Sequence, residues 1–139
     1  ELAESEGFML EEHQALTEDG FVLVLHRIKR KMKFNNQGIV LLMHGLMQDS
    51  EALLVGGKEH ALGLWLCDKG YDVFLGNNRG NRYSHKHLTK LPSEEAYWNF
   101  SIDELARKDV PAMISKVLGL TNQSKLTYIG FSQGSAQMF

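Results

Sequence analysis

A serine flanked by glycines near the carboxyl end of the chain is the arrangement that most directly implies chemistry. Gly130, Ser132 and Gly134 form a G-x-S-x-G motif that follows the apolar residues 126–129. Between a strand and a helix, this spacing makes a sharp turn that raises the serine side chain above the sheet. Glycine is needed at both flanking positions because a larger side chain would collide with the neighbouring strand or helix. The motif predicts a nucleophilic serine, and the alternative is a glycine-rich turn with a capping serine.

An acyl-transfer serine also needs hydrogen-bond donors for the oxygen that becomes negative in the transition state. One donor would be the backbone N–H of Gln133, and the second would come from the loop after an earlier strand. His44, Gly45 and Leu46 directly follow the apolar residues 39–43, and Gly45 lets the backbone turn tightly. We therefore predict Leu46 N–H as the second donor. The alternative, His44 as a metal ligand or general base, lacks accompanying residues with metal-ligand spacing.

An arginine and two histidines follow in a turn-rich segment. Arg79 could contact substrate, but we expect it to join loops through hydrogen bonds to backbone carbonyls. His85 and His87 lie in a polar loop, and we expect them to be solvated rather than catalytic. Three apolar side chains near the predicted site fit an acyl pocket and core packing equally well: Met43, Leu46 and Met47.

Hydrophobic patterning predicts the elements that position these residues. Strands are predicted at residues 21–28, 39–43, 71–75 and 126–129, because these runs are apolar and rich in β-branched or aromatic residues. Helices are predicted at residues 62–66 with Gly70 as the terminating residue, from Ser101 onward, and from Gln133 onward. Strands that alternate with helices predict an α/β fold with a mostly parallel sheet and helices on both faces.

The helix that starts at Ser101 carries its own boundary signals. Ser101 and Glu104 have the spacing of a capping box. Pro111 lies inside the apolar pattern, and because proline lacks an N–H and clashes with the preceding turn, we expect a kink or break there. Gly119 is expected to end the helix.

Composition and charge restrict the class of protein. The chain has 139 residues with 43% hydrophobic and 23% charged residues, as expected of one globular domain. Its formal net charge of −2 gives no reason to expect a nucleic-acid partner, and the basic residues 27–33 are interpreted as a solvated strand end. The single Cys67 excludes an intrachain disulfide, and the apolar runs are too short to cross a bilayer. We expect neither metal nor cofactor.

Five stretches of the chain resemble the acid lipases, together with the fungal steryl ester hydrolases. The resemblance covers nearly all of the chain from Glu11 onward, and LGNNRGN and the WNFS segment are its most specific motifs. The matching stretches are EEHQALTEDGFVL at 11–23, LLMHGL at 41–46, CDKGYDVFLGNNRGNRYSHKH at 67–87, YWNFSIDELARKDVPAMI at 97–114 and LTYIGFSQGSAQ at 126–137.

The resemblance implies an α/β-hydrolase fold and hydrolysis of sterol esters and triacylglycerols, with Ser132 as nucleophile and Leu46 and Gln133 as oxyanion donors. Animal acid lipases have histidine where this chain has Phe131, and a tryptophan within the segment that corresponds to residues 47–57. Both departures resemble the fungal enzymes, which implies action at a membrane or lipid-droplet surface. A lysosomal or secreted location, as in the animal enzymes, would make the sequons at Asn99 and Asn122 relevant.

In this fold the catalytic acid and histidine follow the serine, and only seven residues follow Ser132. We therefore expect an N-terminal fragment, with a family-specific segment at about residues 5–66 and a hydrolase core that continues beyond residue 139. The catalytic acid and base would lie in that continuation. Two alternatives stay open: a non-catalytic pseudo-enzyme or interaction module on the same scaffold, and a serine acyltransferase or thioesterase.

Overall fold

The computed structural model describes residues 2–30 and 37–139. Residues 31–33 of the predicted basic run lie outside the described residues. Within the described ranges, six strands form one sheet in the order β1-β2-β4-β3-β6, and β5 pairs with β2. Their bounds are β1 Phe8–Leu16, β2 Phe21–Arg30, β3 Ile39–Met43, β4 Asp72–Gly76, β5 Lys86–His87 and β6 Thr127–Gly130.

Helices connect the strands and cover the sheet. The α-helices are α1 Leu2–Ser5, α2 Gly57–His60, α3 Leu62–Asp68, α4 Ile102–Glu104, α5 Val110–Thr121 and α6 Gln133–Ala136. Short 3₁₀ turns occur at Ser50–Leu53 and Glu95–Tyr97. The predicted helix at 62–66 is confirmed, and Gly70 follows it with φ 93°. The α/β architecture is therefore confirmed.

Parallel pairing is concentrated around β3, which lies between β4 and β6 and is buried along its whole length. Leu41 and Met43 face one side and pack in the same cluster as Met113 of α5. Val40 and Leu42 face the other side, with Leu64 of α3. The apolar run at 39–43 is thus a strand buried on both faces, and the expected helix layers on both faces are present.

The antiparallel part of the sheet includes a strand that the sequence analysis did not predict. β1 pairs with β2 along its whole length, and β2 then pairs antiparallel with β4. The centre of β1 is polar, with Glu11, Glu12, His13 and Gln14 in succession. In an edge strand these side chains reach solvent, so the strand lacks the apolar alternation by which strands are recognised.

The capped helix continues through Pro111, so the predicted break is wrong, and the distortion of the helix is a π-helical turn just before the proline. Ser101 forms the predicted capping box with Glu104, and α4 runs into a π-helical turn at Leu105–Asp109 and then into α5. The wider π turn accommodates a residue without an N–H, so the helix does not break. The expected end at Gly119 is also wrong. The helix extends to Thr121, and Asn122 (φ 51°) is the left-handed terminating residue.

A buried ion cluster joins this helix to the loops at the carboxyl edge of the sheet. Arg79, which follows β4, donates through its Nε to Asp109 Oδ1 at 2.8 Å, and its backbone N–H donates to Asp109 Oδ2 at 2.9 Å. Its Nη1 donates to Asp19 of the β1–β2 turn at 2.8 Å. The expectation that Arg79 joins loops is confirmed, but its partners are carboxylates rather than backbone carbonyls. Burial raises the pKa of Asp109, against the hydrogen bonds from Arg79.

Arg79→Met should destabilise the fold by about 3–5 kcal/mol, because Asp109 would remain buried without its counter-charge. Arg82→Met is the matched control: Arg82 pairs with Asp49 and Glu51 at the surface, where solvent screens the interaction, and little change is expected. Urea unfolding of the full-length protein measures both. Equal unfolding midpoints for the two variants would contradict the assigned importance of the buried cluster.

Candidate active site

Ser132 occupies the turn between β6 and α6, as the motif predicts. Its backbone has φ 52° and ψ −117°, a left-handed conformation that a residue with a side chain rarely adopts. The residue is exposed at the carboxyl edge of the sheet, where the neighbouring strand β3 also ends. Strained backbone of this kind persists only where the surroundings impose it, and it is concentrated at functional sites.

The surroundings that impose this turn are backbone groups packed against two glycines. A Cβ placed on Gly134 would lie 2.5 Å from the Met43 carbonyl oxygen and 2.7 Å from that of His44. A Cβ on Gly130 would overlap the Gly134 carbonyl. Helix α6 therefore crosses the end of β3 at a distance that permits only hydrogen at position 134.

The loop after β3 lies directly beside the serine. Phe131 N–H donates to the Met43 carbonyl at 2.9 Å, and a Cβ placed on Gly45 would lie 3.3 Å from Ser132 Cβ. Within the described ranges, neither Leu46 N–H nor Gln133 N–H donates to another protein group. The two N–H groups predicted as oxyanion donors thus form no hydrogen bond within the described protein. They lie on the two segments that meet at Ser132.

His44 is a buried structural residue of this loop. Its Nδ1 lies 2.8 Å from the Gly45 carbonyl, and its Nε2 lies 3.2 Å from the Asn78 N–H. Since a carbonyl only accepts and a peptide N–H only donates, the ring is neutral with its proton on Nδ1. Burial lowers its pKa below the ordinary value, against the opposing effect of the Gly45 hydrogen bond. Both ring nitrogens are occupied, which leaves none for a general base.

An open pocket of about 540 Å³ borders the loop and the start of α6. It contains Gly45 and Gln133, and its apolar lining includes Leu46, Met47 and Trp98. Met47 is almost fully exposed, whereas Met43 is buried in the core. Of the three apolar candidates, Leu46 and Met47 lie at the pocket, and Met43 serves packing.

The remaining sequence candidates lie away from the serine turn. His87 is half-buried and its Nε2 lies 2.9 Å from the Asp19 carbonyl, so the expectation that it is solvated is wrong; His85 is exposed. Asn99 and Asn122, the sequon asparagines, are exposed.

In the part of the chain that the structure describes, no group of three His, Cys, Asp or Glu side chains could hold a metal ion. None of the described helices is long and apolar enough to cross a membrane.

Three polar side chains near the serine were missed by the sequence analysis. Gln48 accepts from Gly45 N–H at 2.9 Å, and Asn78 pairs with Gln137 through two hydrogen bonds. Asn78 is the second residue after the buried strand β4, at the carboxyl edge of the sheet, a position that favours functional residues. Gln137 and Gln48 carry no comparable signal in the sequence.

A mixed sheet whose central strand ends beside a strained serine between a strand and a helix defines an α/β hydrolase. The chain belongs to the α/β-hydrolase fold family, whose model matches residues 38–139. A second model, a partial α/β-hydrolase lipase region, matches residues 1–57. The lipase resemblance inferred from the sequence is therefore confirmed.

Relatives with similar sequences carry lipase names. The chain is 47% identical to a probable lipase of Schizosaccharomyces pombe, across 99% of this chain and 31% of that protein. It is 41% identical to human lysosomal acid lipase/cholesteryl ester hydrolase, across 93% of this chain and 33% of that protein. The chain thus spans about a third of the length of the curated relatives it matches.

Solved structures with the same fold include an esterase of Pyrococcus furiosus. It superposes with a TM-score of 0.67 at 16% identity, covering 96% of this chain and 46% of that one. Epoxide hydrolase A of Mycobacterium thermoresistibile superposes with a TM-score of 0.59 at 22% identity, covering 93% and 33% of the two chains. At these identities the likeness concerns the fold.

The neutral state of His44 predicts how stability depends on pH. The unfolded chain takes up a proton on this histidine near pH 6.5, its ordinary pKa, whereas the folded protein resists protonation to lower pH. The free energy of unfolding should therefore fall as the pH is lowered below about 6.5. Burial lowers the pKa of His26 as well, so two histidines contribute in the same direction.

His44→Gln should flatten this dependence, and His85→Gln, in the exposed loop, should leave it as in the wild type. Urea unfolding of the full-length protein between pH 7 and pH 5 gives the slopes. Identical slopes for the wild type and His44→Gln would show that His44 is not held neutral.

Proposed function

We propose that the protein is a serine hydrolase that cleaves carboxylic esters through an acyl-enzyme on Ser132. The observation that carries this proposal is the strained turn at Ser132 next to Gly45, with the Leu46 and Gln133 N–H groups left unused by the fold. A capping serine has no need of a strained backbone or of a second loop with free donors beside it.

The chemistry follows from these groups. Ser132 Oγ attacks the ester carbonyl carbon as a base takes its proton, and the carbonyl oxygen becomes negative between Leu46 N–H and Gln133 N–H. The C–O bond then breaks, the alcohol leaves with the proton, and water releases the acid from the serine by the same route in reverse. In this fold the orienting carboxylate and then the histidine base follow the nucleophile in chain order.

Lipid esters, such as sterol esters and triacylglycerols, are the proposed substrates. The pocket beside Gly45 holds apolar side chains that suit an acyl chain or a sterol, including Met47, Trp98 and Ile102. Its volume of about 540 Å³ is in the ordinary range of small-molecule sites. The names of the relatives, lipases and a cholesteryl ester hydrolase, support the same substrate class.

Ser132→Ala in the full-length protein should lower kcat for hydrolysis of cholesteryl oleate and trioleoylglycerol by up to about a million-fold. A fluorophosphonate probe should label the wild type at Ser132 and leave the alanine variant unlabelled. Ser93→Ala, in an exposed turn, is the matched control and should retain both labelling and turnover. Labelling that persists in Ser132→Ala would refute the assigned nucleophile. Turnover of acyl thioesters in preference to oxygen esters would refute the substrate class.

Adding a side chain at Gly45 and at Gly134 should have different effects on activity and on stability. At Gly45 the nearest atoms belong to the side chains of Gln48, Phe131 and Ser132. The ends of the Gln48 and Phe131 side chains can shift, but Ser132 Cβ is fixed to its backbone, so the loop that carries the Leu46 donor should move instead. Gly45→Val should therefore lower kcat by about 10²–10³-fold, as expected for a lost oxyanion donor, with little change in Tm.

Gly134→Ala should instead lower Tm, because its Cβ meets backbone carbonyls that cannot move independently. Gly119→Ala is the control, since no atom lies within 4 Å of its added Cβ and alanine favours a helix. Wild-type kcat in Gly45→Val would contradict the proposed oxyanion geometry.

A further inference from the structure

The two proposed oxyanion donors lie on segments that are far apart in the chain. Leu46 is in the loop after β3, and Gln133 starts the helix after β6, almost ninety residues later in the chain. Both must point at one oxygen, and donors act at distances of about 2.7–3.1 Å from it. Some interaction between the segments must therefore fix their relative position, and the buried polar contacts around Asn78 supply one.

The backbone of Asn78 orients the first donor through His44. Asn78 N–H donates to His44 Nε2 at 3.2 Å, and His44 Nδ1–H donates to the Gly45 carbonyl at 2.8 Å. The Gly45 carbonyl and Leu46 N–H are the two ends of a single peptide group, which is planar and trans, so they point in opposite directions. Fixing the carbonyl on the His44 ring therefore fixes the direction of Leu46 N–H.

The side chain of Asn78 holds the second segment. Asn78 Nδ2 donates to Gln137 Oε1 at 3.1 Å, and Gln137 Nε2 donates back to Asn78 Oδ1 at 3.2 Å. Gln137 directly follows helix α6 as its capping residue, and Gln133 is the first residue of that helix. Its amide also donates to the Tyr128 hydroxyl at 3.3 Å, and that hydroxyl donates to the Gly134 carbonyl at 2.6 Å. The pair thus holds the carboxyl end of α6, and Tyr128 links it to Gly134, the second residue of the helix.

Both amides are buried, with 4% of Asn78 and 2% of Gln137 exposed. A buried amide left without partners is costly, so the reciprocal pair has one favoured geometry rather than several. We propose that Asn78 is a positioning residue that sets the placement of Leu46 N–H relative to Gln133 N–H. This inference rests on the proposed function, and it assigns Asn78 and Gln137 no contact with substrate.

The test uses the full-length protein and hydrolysis of p-nitrophenyl butyrate. Gln137→Leu keeps the size of the side chain and removes the amide. It should lower kcat by about ten- to a hundredfold with KM nearly unchanged, because oxyanion donors act in the transition state and a displaced donor loses less than a deleted one. Fluorophosphonate titration counts the folded sites, so that kcat refers to them alone. Gln123→Leu, an exposed amide, is the matched control and should keep the wild-type kcat.

An exchange of the two amides keeps the inference testable if Gln137→Leu does not fold. Asn78→Gln alone should lower kcat because its side chain is one methylene too long, and the double variant Asn78→Gln with Gln137→Asn should restore most of the activity. A lower Tm with unchanged kcat per titrated site, or a double variant no better than the single one, would overturn the positioning role. If the wild type is not titrated by fluorophosphonate at all, the proposed function fails and the inference fails with it.

Discussion

The close crossing of helix α6 over the end of β3 is the constraint on which the rest of the site depends. Position 134 lies against the carbonyl groups of Met43 and His44 with room for no more than hydrogen. Since β3 and β6 are parallel neighbours, their carboxyl ends emerge at the same edge of the sheet, and the chain must reverse sharply there. The sharp turn strains the backbone of Ser132 and leaves its side chain exposed at the edge of the sheet.

This crossing buries backbone N–H and carbonyl groups, and polar side chains around them form hydrogen bonds with these groups. Asn77, Asn78 and His44 are buried at the ends of β4 and β3, where apolar residues would leave amide and carbonyl groups without partners. Asn77 accepts from Ser50 N–H at 3.0 Å and donates to the Val24 carbonyl at 3.2 Å. The sheet therefore has an apolar middle, which provides most of the stability, and a polar carboxyl edge, which provides the geometry.

The sequence predicts those features whose physical cause is local. The strand at residues 39–43, the capping box at Ser101 and the turn at Ser132 depend on hydrophobic periodicity or on a few adjacent residues, and each occurs where the pattern predicts it. The edge strand β1 and the uninterrupted helix through Pro111 were not predicted. In both cases neighbouring elements override the local pattern: β2 pairs with a polar strand, and a π turn before Pro111 accommodates the missing N–H.

The partners of Arg79 show why the remaining contacts could not be predicted. Its carboxylate partners, Asp19 and Asp109, are 60 and 30 residues distant in the chain. Asp109 lies on the buried face of the helix, four residues after Leu105 and four before Met113, so its spacing indicates burial but not its partner. The sequence likewise does not identify Asn78 and Gln137 as partners, because they are 59 residues apart. A turn can be predicted from the glycines it contains. A buried polar pair exists only once the fold has brought two distant segments together, so the residues proposed to orient the site are recognised from the structure, whereas the proposed nucleophile is recognised from the sequence.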